Sequence, residues 1–141
     1  MTNAFVINKI RTGLQVIEVP SPTIPPATTT NAWLLGVEKQ IVVDPAAKGP
    51  EERERLCETL SKNPPSAVFL THHHQDHTGS AEQLRRHFNV PILAHKTNAN
   101  LVPFTIDHFV DEFDTLATDT DEWKAIHTPG HAPGHLCLMS Q

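Results

Sequence analysis

One stretch, Thr71-His72-His73-His74-Gln75-Asp76-His77-Thr78-Gly79, restricts the fold of this chain more than any other. It follows an apolar run at residues 67–70 and precedes a segment with helical periodicity. Neutral imidazole and carboxylate are ligands that zinc and similar first-row ions take in catalytic sites. His72, His74, Asp76 and His77 put four such groups within six residues. Side chains two apart on a strand-like backbone point the same way, so His72 and His74 are expected to converge on one ion. Asp76 and His77, beyond the turn, face a second position. The fold must therefore run a strand into a ligand-bearing loop at the start of a helix.

The rest of the composition narrows the setting. With 141 residues the chain reads as one domain, residues 1–141, able to bury a real core. A hydrophobic share of 38% against 19% charged residues excludes a disordered chain. The net charge of −5 argues against a surface built for nucleic-acid phosphates. An RNA substrate reached through a metal is allowed but not favoured, and a small-molecule substrate is preferred. Cys57 and Cys137 form no Cys-x-x-Cys pair and sit in apolar contexts, so both read as reduced core residues of a cytoplasmic protein. The first residues lack the basic and apolar regions of a signal peptide. No apolar run reaches the length of a membrane span.

Periodicity predicts an alternating order of elements. Two short strands are expected at residues 4–7 and 14–19 around a turn at Thr12-Gly13, followed by a Pro-rich stretch at 20–30 that reads as a loop. That loop either lies on the surface or overhangs the metal cleft. A hairpin of strands 31–36 and 40–44 comes next. A helix opens at Gly49-Pro50, with Leu56, Cys57 and Leu60 as its buried stripe. A core strand at 67–72 leads into the histidines. Ser80-Ala81-Glu82-Gln83 has the pattern of a capping box, and Ala81, Leu84 and Phe88 follow at helical spacing. Further strands are expected at 92–95, weakly at 108–113, at 123–127 and from 136, with a short helix near 96–101. The acidic residues between 111 and 122 read as a solvated loop and hairpin. Strands alternating with helices point to an α/β layering.

Of the ten histidines, three more fall between 127 and 135. A three-nitrogen site needs one further neutral imidazole from a distant loop, and His131 follows a strand as His72 does. Gly130 and Gly134 are expected to let the backbone pack closely there. His73 should point away from the ion. His135 is expected to hydrogen-bond near the site, His127 and His95 to be structural at strand ends, and His87 and His108 to lie on the surface.

The HxHxDH motif His72-x-His74-x-Asp76-His77, followed by Thr128-Pro129-Gly130-His131 and Gly134-His135, resembles the metallo-β-lactamase superfamily. The context Asn31-Ala32-Trp33-Leu34-Leu35-Gly36, then Ile41-Val42-Val43-Asp44, is similar as well. The resemblance implies an α+β, four-layer αββα sandwich with its cleft at one edge between two sheets. It implies that His72, His74 and His131 hold a first Zn²⁺ ion and that Asp76 and His77 hold a second, with Fe or Mn as substitutes. It also implies a hydrolase in which a zinc-bound hydroxide attacks an ester, thioester, lactone or phosphodiester, with Asp76 steering the proton. Asp76-His77 resembles the general hydrolase branch rather than enzymes acting on β-lactams.

The family pattern continues to a bridging aspartate and a final histidine, and neither occurs in these residues. The chain is therefore expected to represent the N-terminal portion of the domain, a mixed sheet with flanking helices that is incomplete at its C-terminal side. Two alternatives stand beside the hydrolase. One is an iron-dependent oxygenase or oxidoreductase on the same fold, since these ligands suit iron too. The other is a catalytically incomplete metal-binding half-domain that self-associates through an uncovered sheet face.

Overall fold

Seven strands lie side by side in chain order: β1 (Asn8–Arg11), β2 (Leu14–Pro20), β3 (Thr29–Leu35), β4 (Ile41–Val43), β5 (Ala67–Phe69), β6 (Ile92–Ala94) and β7 (His108–Phe109). The computed structural model describes residues 4–140, so the first three of the nine N-terminal residues behind the signal-peptide reading fall outside it. Strands β1 to β4 pair antiparallel, and β4 to β7 pair parallel. Parallel neighbours need crossovers. Helix α1 (Pro50–Ser61) links β4 to β5, and the single turn α2 (Gln75–Thr78) with α3 (Ala81–Phe88) links β5 to β6. A second, antiparallel sheet holds β8 (Thr115–Ala117), β9 (Glu122–His127) and β10 (Leu136–Ser140).

The central strands are buried on both faces, and the strand period of two divides their side chains between two cores. Val42 of β4 and Val68 of β5 point to the helices and pack with Leu56, Leu60, Ala81 and Leu84. Their neighbours Ile41, Val43 and Phe69 point to the second sheet and pack with Trp123, Ala125 and Leu136. The layers thus run helices, large sheet, small sheet. This is the mixed α+β arrangement expected, with no helix on the outer face of the small sheet among the described residues.

Four local expectations are corrected. Residues 4–7 are not a strand, because the Thr12-Gly13 turn pairs the residues next to it: Arg11 with Leu14, Lys9 with Gln15, Asn8 with Val16. Phe5 turns to α1 instead, its N–H donating to Thr59 Oγ1 (2.7 Å) and its ring lying under the Arg55 guanidinium. Ser80 precedes α3 but makes no capping bond; its hydroxyl donates to the carbonyl of Ala47. Cys57 is buried as expected, whereas Cys137 is exposed. In β10 the alternation sends Leu136 inward and both Cys137 and Met139 outward. The core strand ends at Phe69 rather than at 72, since the N–H of Thr71 leaves the ladder and donates to Asp44 Oδ1 (2.8 Å). No helix among the described residues is long and apolar enough to cross a membrane.

Candidate metal centre

The carboxyl ends of β4, β5 and β9 lie at one edge of the two sheets; the loops leaving β5 and β9 carry the histidines, and the loop leaving β4 begins with Asp44. Ligands of open α/β sheets bind outside such strand ends. The backbone N–H of Leu136 donates to the carbonyl of Thr71 (2.9 Å), which ties the two histidine loops together across the sheets. The second loop is braced at further points. Asn98 Nδ2 donates to the Gly134 carbonyl (3.1 Å), and His127 Nε2 to that of Pro133 (2.9 Å). A Cβ on Gly134 would stand 2.8 Å from the Asn98 amide, so glycine serves close approach there. Gly130 has open space around it and answers to its positive φ of 150° instead, which corrects the packing role expected of it.

His72 and His74 converge as their spacing predicts, and His131 joins them from the second loop: one ligand atom from each lies within 4.8 Å of the others. His74 Nδ1 and His131 Nε2 are 3.1 Å apart. Two nitrogens each 2.0–2.1 Å from a tetrahedral zinc are separated by about 3.3 Å, so the pair is already spaced as ligands. His72 is 1% exposed. Burial, reinforced by His77, His135, His74 and His131 around it, pushes its pKa down to about 3, so the ring is neutral. Thr71 Oγ1 spends its proton on Asp44 Oδ2 (2.7 Å), so its contact with His72 Nδ1 (2.8 Å) requires the imidazole to donate. This assigns the proton to Nδ1 and leaves the Nε2 lone pair buried with no partner. An unpaired buried acceptor is costly, and a metal ion is a partner that fits it.

Asp44, which the sequence reading used to end a strand and as context for the resemblance but gave no role, is the residue it missed as part of the site. The carboxylate is buried and also takes a hydrogen bond from His77 Nδ1 at 2.8 Å. Burial works against the His77 cation, but this bond and the charges of Asp44 and Asp76 outweigh it and raise its pKa. With Nδ1 committed to Asp44, His77 keeps Nε2 free, 3.7 Å from Asp76 Oδ2. Asp44, His72 and His77 also lie within 4.8 Å. Because Asp44 is occupied by Thr71 and His77, we read that trio as the support of the ligands. A polar residue closing a fully apolar strand, as in Ile41-Val42-Val43-Asp44, is the signal that marked it.

The remaining histidines stand around this centre. His135 bonds Thr128 Oγ1 (3.0 Å) through Nδ1 and joins neither group; burial lowers its pKa. His73 points a buried Nδ1 at no partner. His95 is buried, stacks on His127 with ring centroids 4.5 Å apart, and accepts from the N–H of Thr97. His87 and His108 are exposed. The Pro-rich loop overhangs the site, as the second of its two readings had it, for Thr23 Oγ1 donates to Asp76 Oδ2 at 3.0 Å.

Comparison with known proteins agrees with this layout. The family model of the metallo-beta-lactamase superfamily matches residues 25–140. Hydroxyacylglutathione hydrolase of Salmonella paratyphi A is 30% identical over 122 residues, 84% of this chain and 46% of that protein. The enzyme of the same name from Hamiltonella defensa is 35% identical over 120 residues, 83% of this chain and 46% of the relative. The chain therefore spans about half the length of the curated relatives it matches. A beta-lactamase domain protein from Burkholderia ambifaria superposes with a TM-score of 0.81 at 20% identity, over 99% of this chain and 52% of that one. At that identity the likeness speaks for the fold alone.

Proposed function

The chain belongs to the metallo-beta-lactamase superfamily, and from that premise we propose that it carries the metal-binding part of a metal-dependent hydrolase acting on a thioester. The observation that supports the reading most is the converging trio of His72, His74 and His131 around the orphaned His72 Nε2. The thioester is favoured among the ester-like substrates because the relatives named above are hydrolases of an acylated glutathione.

In this reading His72, His74 and His131 hold a first zinc ion, and Asp76 with His77 contributes to a second. Bound there, zinc supplies Lewis acidity, which lowers the pKa of a water from 15.7 to about 7 and polarises a carbonyl. The protein's own groups do the rest. Thr71 keeps the His72 ring in the tautomer that presents Nε2, and Asp44 does the same for His77. Such partners fix ring orientation and ligand basicity. In the proposed reaction Asp76, which lies beside His77 Nε2, accepts the proton that water gives up as it adds to the acyl carbon. The proton then passes to the thiolate that leaves when the carbon–sulfur bond breaks.

Elemental analysis of the chain, beside a His72→Ala/His74→Ala double variant, tests the metal. At least one zinc per chain, the ion of the three-histidine site, is expected to be retained by the wild type and absent from the variant, and equal metal in both would sink the reading. The same measurement identifies the ion. Release of free thiol from an S-acyl glutathione by the zinc-loaded chain tests the substrate. A metal-loaded chain that releases thiol no faster than the double variant would remove the thioester from the proposal.

A further inference from the structure

Most of the loop joining β2 to β3 is exposed, yet Thr23 within it is half-buried. The loop is closed at its base by Ser21, whose N–H donates to the Thr28 carbonyl (3.2 Å) and whose hydroxyl meets Thr30 Oγ1 (2.6 Å). A turn between Ile24 and Ala27 shapes its tip. Beyond that base, Thr23 Oγ1 joins the loop to the histidine cluster through Asp76 Oδ2. The two residues are 53 positions apart in sequence, so neither local geometry nor chain proximity brings them together.

We propose that Thr23 is a positioning residue for the metal centre: its hydroxyl orients the Asp76 carboxylate toward the second ion and clamps the Pro-rich loop over the cleft. The inference rests on the assignment of Asp76 and His77 to that ion. Asp76 Oδ2 faces both Thr23 Oγ1 at 3.0 Å and His77 Nε2 at 3.7 Å. A carboxylate on a short side chain rotates freely about its last torsion in water. The Thr23 bond occupies one lone pair of Oδ2 and fixes that rotation, and a carboxylate has about four such sites. The remaining lone pairs stay open beside the free nitrogen of His77. Hydrogen-bond partners of ligating carboxylates typically govern metal affinity by about 10–100-fold. Because the hydroxyl belongs to the loop, the same bond couples loop position to the second ion, while the trio of His72, His74 and His131 has no contact with Thr23 among the hydrogen bonds described.

The test compares the wild-type chain with Thr23→Val, which keeps the shape and loses the hydroxyl, and with Thr23→Ser, which keeps the hydroxyl. Cobalt(II) is titrated into each and followed by its visible absorption, and amide exchange of residues 21–28 is measured on the metal-free chains. Thr23→Val is expected to weaken the looser of two binding steps about 10-fold, to change its absorption band, and to leave the tighter step alone. Thr23→Ser should restore both affinity and band. Loop amides should exchange faster in the valine variant only. The proposal is overturned if Thr23→Val matches the wild type at the looser step, if both steps shift together, or if serine fails to rescue. A wild-type chain that binds one cobalt and no second overturns it as well, leaving the three-histidine reading intact. A wild-type chain that binds none overturns both.

Discussion

Asp44 Oδ2 lies 2.8 Å from His77 Nδ1, while the same carboxylate accepts both the backbone N–H and the hydroxyl of Thr71. One buried side chain thereby ends the ladder of β5, sets the tautomer of His77 and, through Thr71, that of His72. Asp44→Ala should therefore act on stability and metal together. Loss of the acceptor for a buried N–H and hydroxyl is expected to cost about 2–3 kcal/mol, read as a lower urea midpoint. Metal affinity should fall about 10–100-fold in a competition titration with a chromophoric chelator. An unchanged affinity would mean that Asp44 serves folding alone.

His72 sets function against stability. Without an ion its buried Nε2 is unsatisfied, and exchange of a buried polar group for an apolar one of similar size is often neutral or stabilising. His72→Leu is expected to abolish zinc binding yet to raise the stability of the chelator-treated chain by about 1 kcal/mol. Urea unfolding with chelator present decides this; a clear loss of stability would show that the Thr71 contact outweighs the orphaned nitrogen.

Away from the histidine cluster, Arg85 grips Asp107 through two bonds of 2.8 and 2.9 Å, and the N–H of Ile92 donates to the same carboxylate. The Arg85 hydrogen bond, foremost, holds the Asp107 pKa down to about 2 from 3.8. A folded pKa below the unfolded one gives stability that is fully present above 3.8 and is lost as the pH falls through about 2. Asp107→Asn should be about 1 kcal/mol less stable at neutral pH, discounted for solvent screening. The gap should close between pH 4 and about 2 in acid-unfolding curves; a gap constant across that window would contradict the assignment.

Gly79 follows α2 with an ordinary helical φ of −51°. A Cβ there would stand 2.6 Å from the Ala46 carbonyl oxygen and 2.8 Å from that of Ala47, both backbone atoms. Gly79→Ala is thus a purely steric perturbation, expected to cost about 2–3 kcal/mol by overpacking. Because the loop at 45–47 follows Asp44 directly, weaker metal binding should accompany the drop in thermal midpoint. A variant as stable as the parent would show that this loop shifts freely.

The order of strands and helices and the trio His72, His74 and His131 were legible in the sequence. The elements and the His72–His74 pair depend on local signals, namely the period of apolar residues, Pro50 at a helix start and the close spacing of ligand types on a short loop. His131, 57 residues from His74, entered instead through its own Gly130-His131 motif after a strand. The second group was legible only in part. His77 sits where its spacing predicts, but its tautomer depends on Asp44, 33 residues away, and the hold on Asp76 comes from Thr23.

The sequence by itself determined which residues could hold a metal and on which elements they ride, because ligand-type side chains and backbone periodicity are written within a few residues of one another in each motif. Tertiary structure alone decided which protons those residues carry, which loop covers them, that Cys137 faces outward, and that Phe5 leaves the sheet for α1. Each of these is settled by a partner distant in the chain. Hydrogen bonding and burial depend on what lies alongside in space, and a linear pattern does not encode that.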